Sequence, residues 1–496
     1  MNERRKSDRS VRSEKSPNNA PERAAEAMEK RDLAGGKPRE CNTPRTQSRS
    51  SVPSALERIR QAAEKDKKQQ FTALLHHVYD GARLKAAYEA LKPRAAAGVD
   101  GVTWHEYGQN LEGNLKDLAE RLRRGAYRAL PVRRVFIPKA DGRQRPIGVP
   151  ALEDKIVQRA VVEVLNAIYE SDFLGFSYGF RPGRGPHDAL DALSAGLITK
   201  KVNWVLDGDI QSFFDTLKHE WLIKFIEHRV ADRRIVHLIQ KWLKAGVLED
   251  GKRIVSELGT VQGGSVSPLL ANLYLHYVLD LWAQQWRKKL ARGEMIVVRY
   301  ADDFVAGFQH QRDAESFHAE LRERFKQFGL QLHPEKTRTI EFGRFAAENR
   351  ARRGDRSPEP FNFLGFTHSC GKTRSGRFTV LRQTMSKRMR AKLEDVQQQL
   401  LERRHQPVSK QGAYVRSVVN GHLRYYGVPR NNHALGVFRF EVGRLWKRSL
   451  DRRSQRPLRW QKMERLLKSW LPPARVCHPY PIQRFDVRTR GKSRMR

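Results

Sequence analysis

The sequence predicts an α+β fold, in which short strands occupy the first three quarters of the chain and a basic helical region follows. Runs of β-branched residues lie on either side of Asp141-Gly142, the strongest short-range signal for a β-hairpin. Two apolar runs, 295–300 and 304–308, have the length of strands and flank a short acidic turn. In the last quarter of the chain apolar residues recur at helical spacing, so we expect helices there.

The N-terminal segment differs in composition from the rest. Residues 1–50 contain 13 Lys or Arg and 8 Asp or Glu with few large apolar side chains. Burial of so little apolar surface cannot offset the entropy of ordering, so we expect residues 1–53 to be disordered. The first helix is predicted to begin after Pro53, where Ser54 followed by Glu57 is a capping-box pattern.

The remaining elements follow from apolar spacing. Helical spacing runs from Phe71 to Leu91 with a break at Gly81, and Pro93 ends this part. The later patterns predict two basic strands over 133–150, a helix over 151–170, a strand over 201–210, a helix over 218–246 and an apolar helix over 269–286.

The charge balance indicates the class of partner. The 496 residues include 95 Lys or Arg against 55 Asp or Glu, a net charge of +40. A surface of this sign attracts polyphosphates or anionic lipids. No run approaches about 18 apolar residues, and no long basic segment has a bulky apolar face. These absences favour nucleic acid over membrane.

Cysteine content and the first residues bear on the compartment. The three cysteines lie far apart, so neither a disulfide framework nor a cysteine-built zinc site is expected. The start of the sequence lacks the apolar core of a secretion signal. We therefore expect a soluble, intracellular protein located in the cytoplasm.

Two acidic strand ends are the candidate catalytic elements. Asp302 and Asp303 are adjacent carboxylates between apolar strands, and burying both without compensation is costly. A divalent cation such as Mg²⁺, which takes carboxylate and phosphate oxygens, would remove that cost. The strand ending near Asp207, Asp209 and Asp215 supplies further candidates, and a period of two places the first two on one face. The alternative is that both segments are ordinary exposed turns, where Asp is common.

A glycine-rich segment precedes the apolar helix. Gly259, Gly263 and Gly264 allow close backbone approach, and Ser267-Pro268 opens the helix. Free N–H groups at such a helix start can bind phosphate. No Lys-Ser/Thr follows the glycines, so the segment is not a P-loop, and a plain loop-to-helix turn is the alternative.

Several motifs occur together in a fixed order. They are GVDGVTW (98–104), FIPKADGRQRPIGVP (136–150), GFSYGFRPGRGPHDAL (175–190), QGG (262–264), SPLLANLYL (267–275), YADD (300–303), GLQLHPEKT (329–337) and FNFLGF (361–366). This combination resembles the reverse transcriptase/maturase family encoded by bacterial group II introns. The resemblance extends from about Leu56 to the end of the sequence.

The resemblance implies a right-hand polymerase, with fingers and a palm built on an antiparallel RRM-like sheet, followed by a helical thumb/maturase domain. The implied domains are a basic disordered segment (1–53), an N-terminal extension with fingers (54–200), a palm (201–380), a thumb/maturase domain (381–475) and a basic tail (476–496). No cysteine pairs of a zinc-supported HNH-type endonuclease domain occur in this sequence.

The resemblance also assigns the site. Asp209, Asp302 and Asp303 match the metal-binding catalytic carboxylates, and Ile210 would add its main-chain carbonyl; two Mg²⁺ ions and dNTP substrates are implied. The residues that match nucleotide-binding positions are Lys139, Arg145, Phe214 and Gln262, where Phe214 would exclude a ribose 2′-hydroxyl. Core packing is the alternative for Phe214.

The basic helical region has a chemistry of its own. Residues 381–496 contain 29 Lys or Arg and 7 Asp or Glu, an excess of 22 positive charges. Aromatic and cationic residues alternate there, which is typical of surfaces that bind RNA backbones and unstacked bases. The candidate RNA-binding residues are Arg424, Tyr425, Tyr426, Arg430, Trp446, Lys447 and Arg448. A solvated helix face with a few core aromatics is the alternative.

The expected function is that of an RNA-directed DNA polymerase that assists the splicing of its intron RNA and supports intron mobility by target-primed reverse transcription. The implied partners are intron RNA, an RNA template with a DNA primer, and target DNA, with no membrane; nucleoid association is expected on target DNA. Two alternatives are a splicing cofactor with weak polymerase activity and a relative recruited to phage or CRISPR defence. Val261, Leu217 and Lys218 depart from the family pattern without removing a metal ligand, and they leave open whether the polymerase activity is lowered.

Overall fold

The structure is a computed structural model that describes residues 54–138, 144–249, 252–254, 258–260, 263–453 and 456–484. Helices and mainly antiparallel sheets alternate along most of this length, which confirms the predicted mixture of α and β elements. The helices are α1 (Ala55–Lys65), α2 (Leu75–Val78), α3 (Gly81–Glu89), α4 (Trp104–Gly108), α5 (Leu111–Arg123), α6 (Leu152–Asp172), α7 (Pro186–Thr199), α8 (Phe213–Thr216), α9 (His219–Glu227), α10 (Arg233–Lys244), α11 (Ser267–Leu275), α12 (Leu281–Lys289), α13 (Gln311–Gln327), α14 (Ala346–Arg352), α15 (Ser386–Glu402), α16 (Val408–Tyr426), α17 (Asn432–Asp451) and α18 (Trp460–Trp470).

Eleven strands of the described residues form three sheets. They are β1 (Val132–Pro138), β2 (Gln144–Val149), β3 (Trp204–Gly208), β4 (Val247–Glu249), β5 (Lys252–Ile254), β6 (Met295–Tyr300), β7 (Asp303–Phe308), β8 (Arg338–Glu341), β9 (Phe361–Phe363), β10 (Phe366–Lys372) and β11 (Phe378–Thr384). The strand orders are β2-β1-β4-β5, β6-β7-β3-β8 and β11-β10-β9. The β1·β2 pair is the predicted hairpin, and its turn lies outside the described residues.

The sheet β6-β7-β3-β8 separates two hydrophobic cores. Alternate residues of a strand face opposite sides of a sheet, and this alternation is visible along β6. Val297 packs into the larger core, which includes Phe317 of α13, whereas Val298 packs into a second core that includes Leu190 of α7. Both faces are therefore covered by helices, which explains why β6 and β7 read as continuous apolar runs.

Two predicted helices are interrupted. The helix predicted over 218–246 is two helices, α9 and α10, because Asp232 accepts a hydrogen bond from Arg234 N and caps the start of α10. The helix predicted over 269–286 is α11 and α12 joined by one π-helical turn, His276–Asp280. Such turns add one residue to the helical ladder and occur often at functional sites.

The last helices of the described chain, α15 to α18, form a third core. Val415 and Val419 of α16 pack with Phe438 and Trp446 of α17 and with Met463 of α18. The helical character predicted for this region is confirmed. None of the described helices is long and apolar enough to cross a membrane.

Candidate active site

Strand pairing brings the predicted carboxylates to one end of the central sheet. In the antiparallel pair β3·β7, Gly208 lies opposite Phe304. Asp209 follows Gly208 and Asp303 precedes Phe304, so in this antiparallel pair the two acids stand at adjacent positions. Asp302 precedes Asp303 in the turn. Asp209 and Asp303 are nearly one hundred residues apart in the sequence, and the register of β3 against β7 brings them together.

The turn between β6 and β7 has an unusual backbone. Ala301 adopts φ +56°, a left-handed conformation that residues with a Cβ adopt at a cost. Gly179 lies directly against it, because a Cβ built on Gly179 would fall 2.3 Å from Ala301 N. The GFSYGF motif thus supports the turn from behind, which explains why a glycine is needed at position 179.

Electrostatic repulsion is strong among these acids. Although part of Asp303 reaches solvent, the surrounding protein desolvates its carboxyl group and raises its pKa to about 8, with further contributions from Asp302, Asp209 and Asp207. Desolvation also raises the pKa of Asp302, helped by Asp209 and opposed by Arg145 and Arg299. The cluster holds more negative charge than its protein neighbours neutralise.

Asp209 is held by the GLQLHPEKT segment. Its carboxylate accepts a hydrogen bond from Lys336 Nζ at 2.6 Å, and its main-chain carbonyl accepts one from His333 N at 2.8 Å. Ile210 is buried and forms an isolated antiparallel bridge with Leu332. This segment therefore fixes the backbone at Ile210, whose carbonyl is the predicted metal ligand.

A cavity of about 310 Å³ opens beside the carboxylates. Its lining includes Lys336 and Arg338, which the sequence analysis did not single out, although the GLQLHPEKT motif points to the first of them. Burial raises the pKa of Asp207 to about 7, opposed by Arg338 and reinforced by Asp209. The lining residues are Asp207, Gly208, Asp209, Asp303, Phe304, Lys336, Arg338, Asn362, Phe363 and Met385.

The predicted nucleotide-binding residues are only partly described. Arg145 lies on β2 and acts electrostatically on Asp302, so the hairpin faces the carboxylates. Phe214 is half-buried on α8, and its main-chain carbonyl accepts a hydrogen bond from Thr260 N at 2.7 Å. Lys139 and Gln262 lie outside the described residues, as does Val261.

The glycine-rich segment packs against the hairpin. Gly263 has φ +113°, and a Cβ there would fall 2.4 Å from Gly148 O. On the other side, Gly259 N donates to Leu217 O at 2.7 Å. The segment thus lies between β2 and the chain at Leu217, which follows α8.

The acidic residues of the site have the chemistry that a hard divalent cation requires of its ligands. Among the described residues no group of three or more His, Cys, Asp or Glu side chains is assembled as a metal site. Desolvation is nevertheless the main cause of the raised pKa of Asp303, and the negative charges that add to it are ones that a cation would neutralise. Carboxylate oxygens are the ligands that Mg²⁺ prefers.

The predicted RNA-binding residues separate into two groups. Trp446 is 0% exposed and donates from Nε1 to Gln411 Oε1 at 3.1 Å, so its ring has no face toward RNA and packs the helical core instead. Tyr425 and Tyr426 are half-buried and pack on Phe366, which also limits their availability for stacking. The packing alternative describes these aromatic residues better.

The cations of the same prediction lie nearer the surface. Arg424 and Arg448 are exposed. Lys447 forms an ion pair with Asp451 at 2.7 Å, and Arg430 is partly exposed with φ +70°. Their role in binding RNA stays a prediction.

Comparison with known proteins shows which proteins the chain resembles. The sequence pattern of the family described as "Reverse transcriptase (RNA-dependent DNA polymerase)" matches residues 137–368. Group II intron-encoded protein LtrA of Lactococcus lactis subsp. cremoris is 36% identical over 48% of this chain and 39% of its own length. Over residues 137–368 the chain is therefore similar to reverse transcriptases, and it is also similar to a protein encoded by a group II intron.

Two further relatives are similar to part of the chain. Protein YkfC of Escherichia coli (strain K12) is 39% identical over 42% of this chain and 62% of its own length. The uncharacterized 91 kDa protein in cob intron of Schizosaccharomyces pombe is 40% identical over 32% of this chain and 20% of its own length. The matches thus span less than two thirds of each of these relatives.

Proposed function

We propose that this protein is a group II intron-encoded RNA-directed DNA polymerase that also binds its intron RNA and assists its splicing. The observation that carries the proposal is the register of β3 and β7, which sets Asp209 beside Asp303 at the mouth of a cavity. Arg145 on the hairpin acts electrostatically on Asp302, the neighbour of Asp303. Acids and cations that converge in this way suit nucleotidyl transfer.

The carboxylates of Asp209, Asp302 and Asp303, with the carbonyl of Ile210, would hold two Mg²⁺ ions. The ions would supply charge neutralisation and a lowered pKa for the primer 3′-hydroxyl. The protein's own contribution is to fix the acids on strand ends and to place cationic side chains around the triphosphate. We assign Lys139, Arg145 and Gln262 to the nucleotide, and Phe214 to exclusion of a ribose 2′-hydroxyl.

The domain roles follow from the same proposal. The hairpin β1·β2 with the N-terminal helices would act as fingers (54–200), and the central sheet would act as palm (201–380). Helices α15 to α17 would belong to the thumb/maturase domain (381–475). The hairpin β9·β10 contributes Asn362 and Phe363 to the cavity, as a primer-contacting turn would. Target-primed reverse transcription on target DNA belongs to this proposal.

The splicing role rests on charge. A groove of about 360 Å³ runs between α15 and α17, and its charged lining residues are Arg390, Arg444, Arg448, Glu394 and Glu441, of which Arg444 and Glu441 form an ion pair at 2.6 Å. Its arginines outnumber its glutamates and could contact an RNA backbone, whose preferential binding would stabilise one folded state of the RNA. A splicing cofactor with weak polymerase activity is the second candidate, since Val261, Leu217 and Lys218 depart from the family pattern.

Primer extension on an RNA template tests the polymerase. Asp302→Ala is expected to lower the rate of nucleotide addition by roughly a thousandfold, because the developing charge loses its support. Glu315→Gln, an exposed acid on α13, is the matched control and should leave the rate unchanged. An Asp302→Ala protein with near-normal extension contradicts the assignment.

Splicing of the intron RNA tests the second role. The purified full chain is expected to lower the Mg²⁺ concentration that the RNA needs for splicing, and Asp302→Ala should lower it equally. A protein that leaves this concentration unchanged has no maturase activity, whatever its polymerase rate.

A further inference from the structure

A buried arginine lies behind the acidic turn. Arg299, near the end of β6, is 0% exposed. Its guanidinium forms a bidentate ion pair with Asp280, with Nε to Oδ1 at 2.7 Å and Nη2 to Oδ2 at 2.5 Å. Asp280 is also 0% exposed and is the last residue of the π-helical turn between α11 and α12.

The other N–H groups of this arginine reach three different parts of the chain. Nη1 donates to Ala301 O and to Asn272 Oδ1, each at 3.0 Å, and Nη2 donates to Ser177 Oγ at 2.7 Å. An arginine has five N–H donors, and these contacts use all five. The side chain is therefore held in one position.

The same network surrounds the strained residue of the turn. Asn272 Nδ2 donates to Gly179 O at 2.6 Å, and Gly179 lies against Ala301 N. The main chain of Arg299 is also fixed, since its N donates to Phe176 O at 2.9 Å and its O accepts from Tyr178 N at 2.8 Å. The left-handed backbone at Ala301 is thus held by contacts on both of its sides.

We propose that Arg299, oriented by Asp280, is a positioning residue that holds Ala301 in its left-handed conformation and thereby aims Asp302 and Asp303 into the site. This inference rests on the proposed polymerase function. If Arg299 acted on stability alone, its hydrogen bond to the carbonyl of Ala301, the strained residue, would not be needed. The π-helical turn gains a role as well, because it ends at the carboxylate that orients the arginine.

The test removes the contact without leaving a buried charge. The double variant Arg299→Met with Asp280→Leu replaces both members of the ion pair by apolar side chains, a change that buried pairs often tolerate. The matched control is Arg229→Met with Asp172→Leu, a pair 3.0 Å apart whose arginine is 1% exposed and which lies between α1, α6 and the end of α9.

Single-nucleotide addition on a primer and RNA template separates rate from binding. The Arg299/Asp280 variant is expected to lose about 100-fold in maximal rate, with the dNTP concentration at half-maximal rate and the affinity for primer–template within about twofold. The Arg229/Asp172 control should keep the wild-type rate. Equal losses in both variants, or a loss confined to dNTP affinity, overturns the proposal.

A crystal structure of the variant gives a readout that does not depend on activity. Ala301 is expected to leave the left-handed region and the Asp302 carboxylate to shift; an unchanged turn overturns the inference. A wild-type protein that extends no primer contradicts the proposed function instead, and the variant structure still decides the role of Arg299. If the double variant does not fold, Asn272→Ala removes the Asn bridge without unpairing a charge and should cost about tenfold in rate.

Discussion

His368 on β10 shows how a single buried residue can control the pH dependence of stability. Its ring is 0% exposed and stacks on Phe361 with centroids 4.9 Å apart. Burial lowers the pKa of His368 to about 3 from an ordinary value of 6.5, and the nearby charge of Arg382 adds to this shift. The folded protein therefore keeps the ring neutral where the unfolded chain protonates it.

The sign of the effect follows from proton counting. Between pH 6.5 and about 3 the unfolded state binds a proton that the folded state does not, so this residue lowers stability as the pH falls through that window. Above pH 6.5 both states are neutral and the residue makes no contribution. One proton corresponds to about 1.4 kcal/mol per pH unit.

His368→Phe is expected to flatten the acid side of the stability profile by up to this slope, because a phenyl ring cannot be protonated. Denaturant unfolding between pH 4 and 7.5 measures it. His433→Gln, which changes an exposed histidine, is the control. A His368→Phe protein with the wild-type slope below pH 6.5 contradicts the argument.

The candidate catalytic acids are easier to find from the sequence than the cationic residues beside them. Asp302 and Asp303 are conspicuous because adjacent carboxylates rarely stand between apolar strands. Lys336 and Arg338 line the same cavity but are two among 95 Lys and Arg, so neither is informative alone. Their place depends on the pairing of β3 with β8, a contact that no local pattern encodes.

At the scale of elements, the hairpin β9·β10 depends on a helix far along the chain. Leu364 (φ +48°) and Gly365 (φ +79°) form its two-residue turn, a conformation that disfavours leucine. Tyr425 Oη of α16 donates to Leu364 O at 2.8 Å. The helix thereby fixes a turn that neighbours the site cavity.

Tyr425→Phe is expected to destabilise the protein by about 1–2 kcal/mol, because the carbonyl of Leu364 loses its donor in a partly buried place. Calorimetric unfolding measures the loss. Tyr480→Phe, which removes the same hydroxyl from an exposed ring, should change little. Equal effects from both substitutions would show that the contact to the turn carries no stability.

This contact also explains why helical aromatic residues misled the sequence analysis. Aromatic and cationic residues alternate on α16 and α17, and the pattern is the same whether the rings face RNA or another helix. Trp446 and Tyr425 face other elements, which only the packing of the helices reveals. Strands and helices, by contrast, followed from apolar spacing, apart from the breaks at Asp232 and at the π-helical turn.

At the scale of the whole molecule, the net charge of +40 sets how the protein responds to salt. Cationic side chains that neutralise phosphates release the counterions bound to nucleic acid. The logarithm of the binding constant therefore falls linearly with the logarithm of the salt concentration. With six to ten phosphate contacts, RNA binding should weaken by roughly a thousandfold or more between 50 and 200 mM salt.

The groove between α15 and α17 provides a way to locate part of this dependence. Arg444→Gln with Arg448→Gln is expected to weaken RNA binding at every sequence and to reduce the salt slope by about 0.7 to 0.9 for each lost contact. Arg312→Gln with Lys326→Gln removes the same charge from exposed positions on α13. Because both pairs remove two positive charges, both should reduce long-range attraction and slow association at low salt. Only the groove pair should change the slope, and equal slopes would mean that the groove does not contact the RNA backbone.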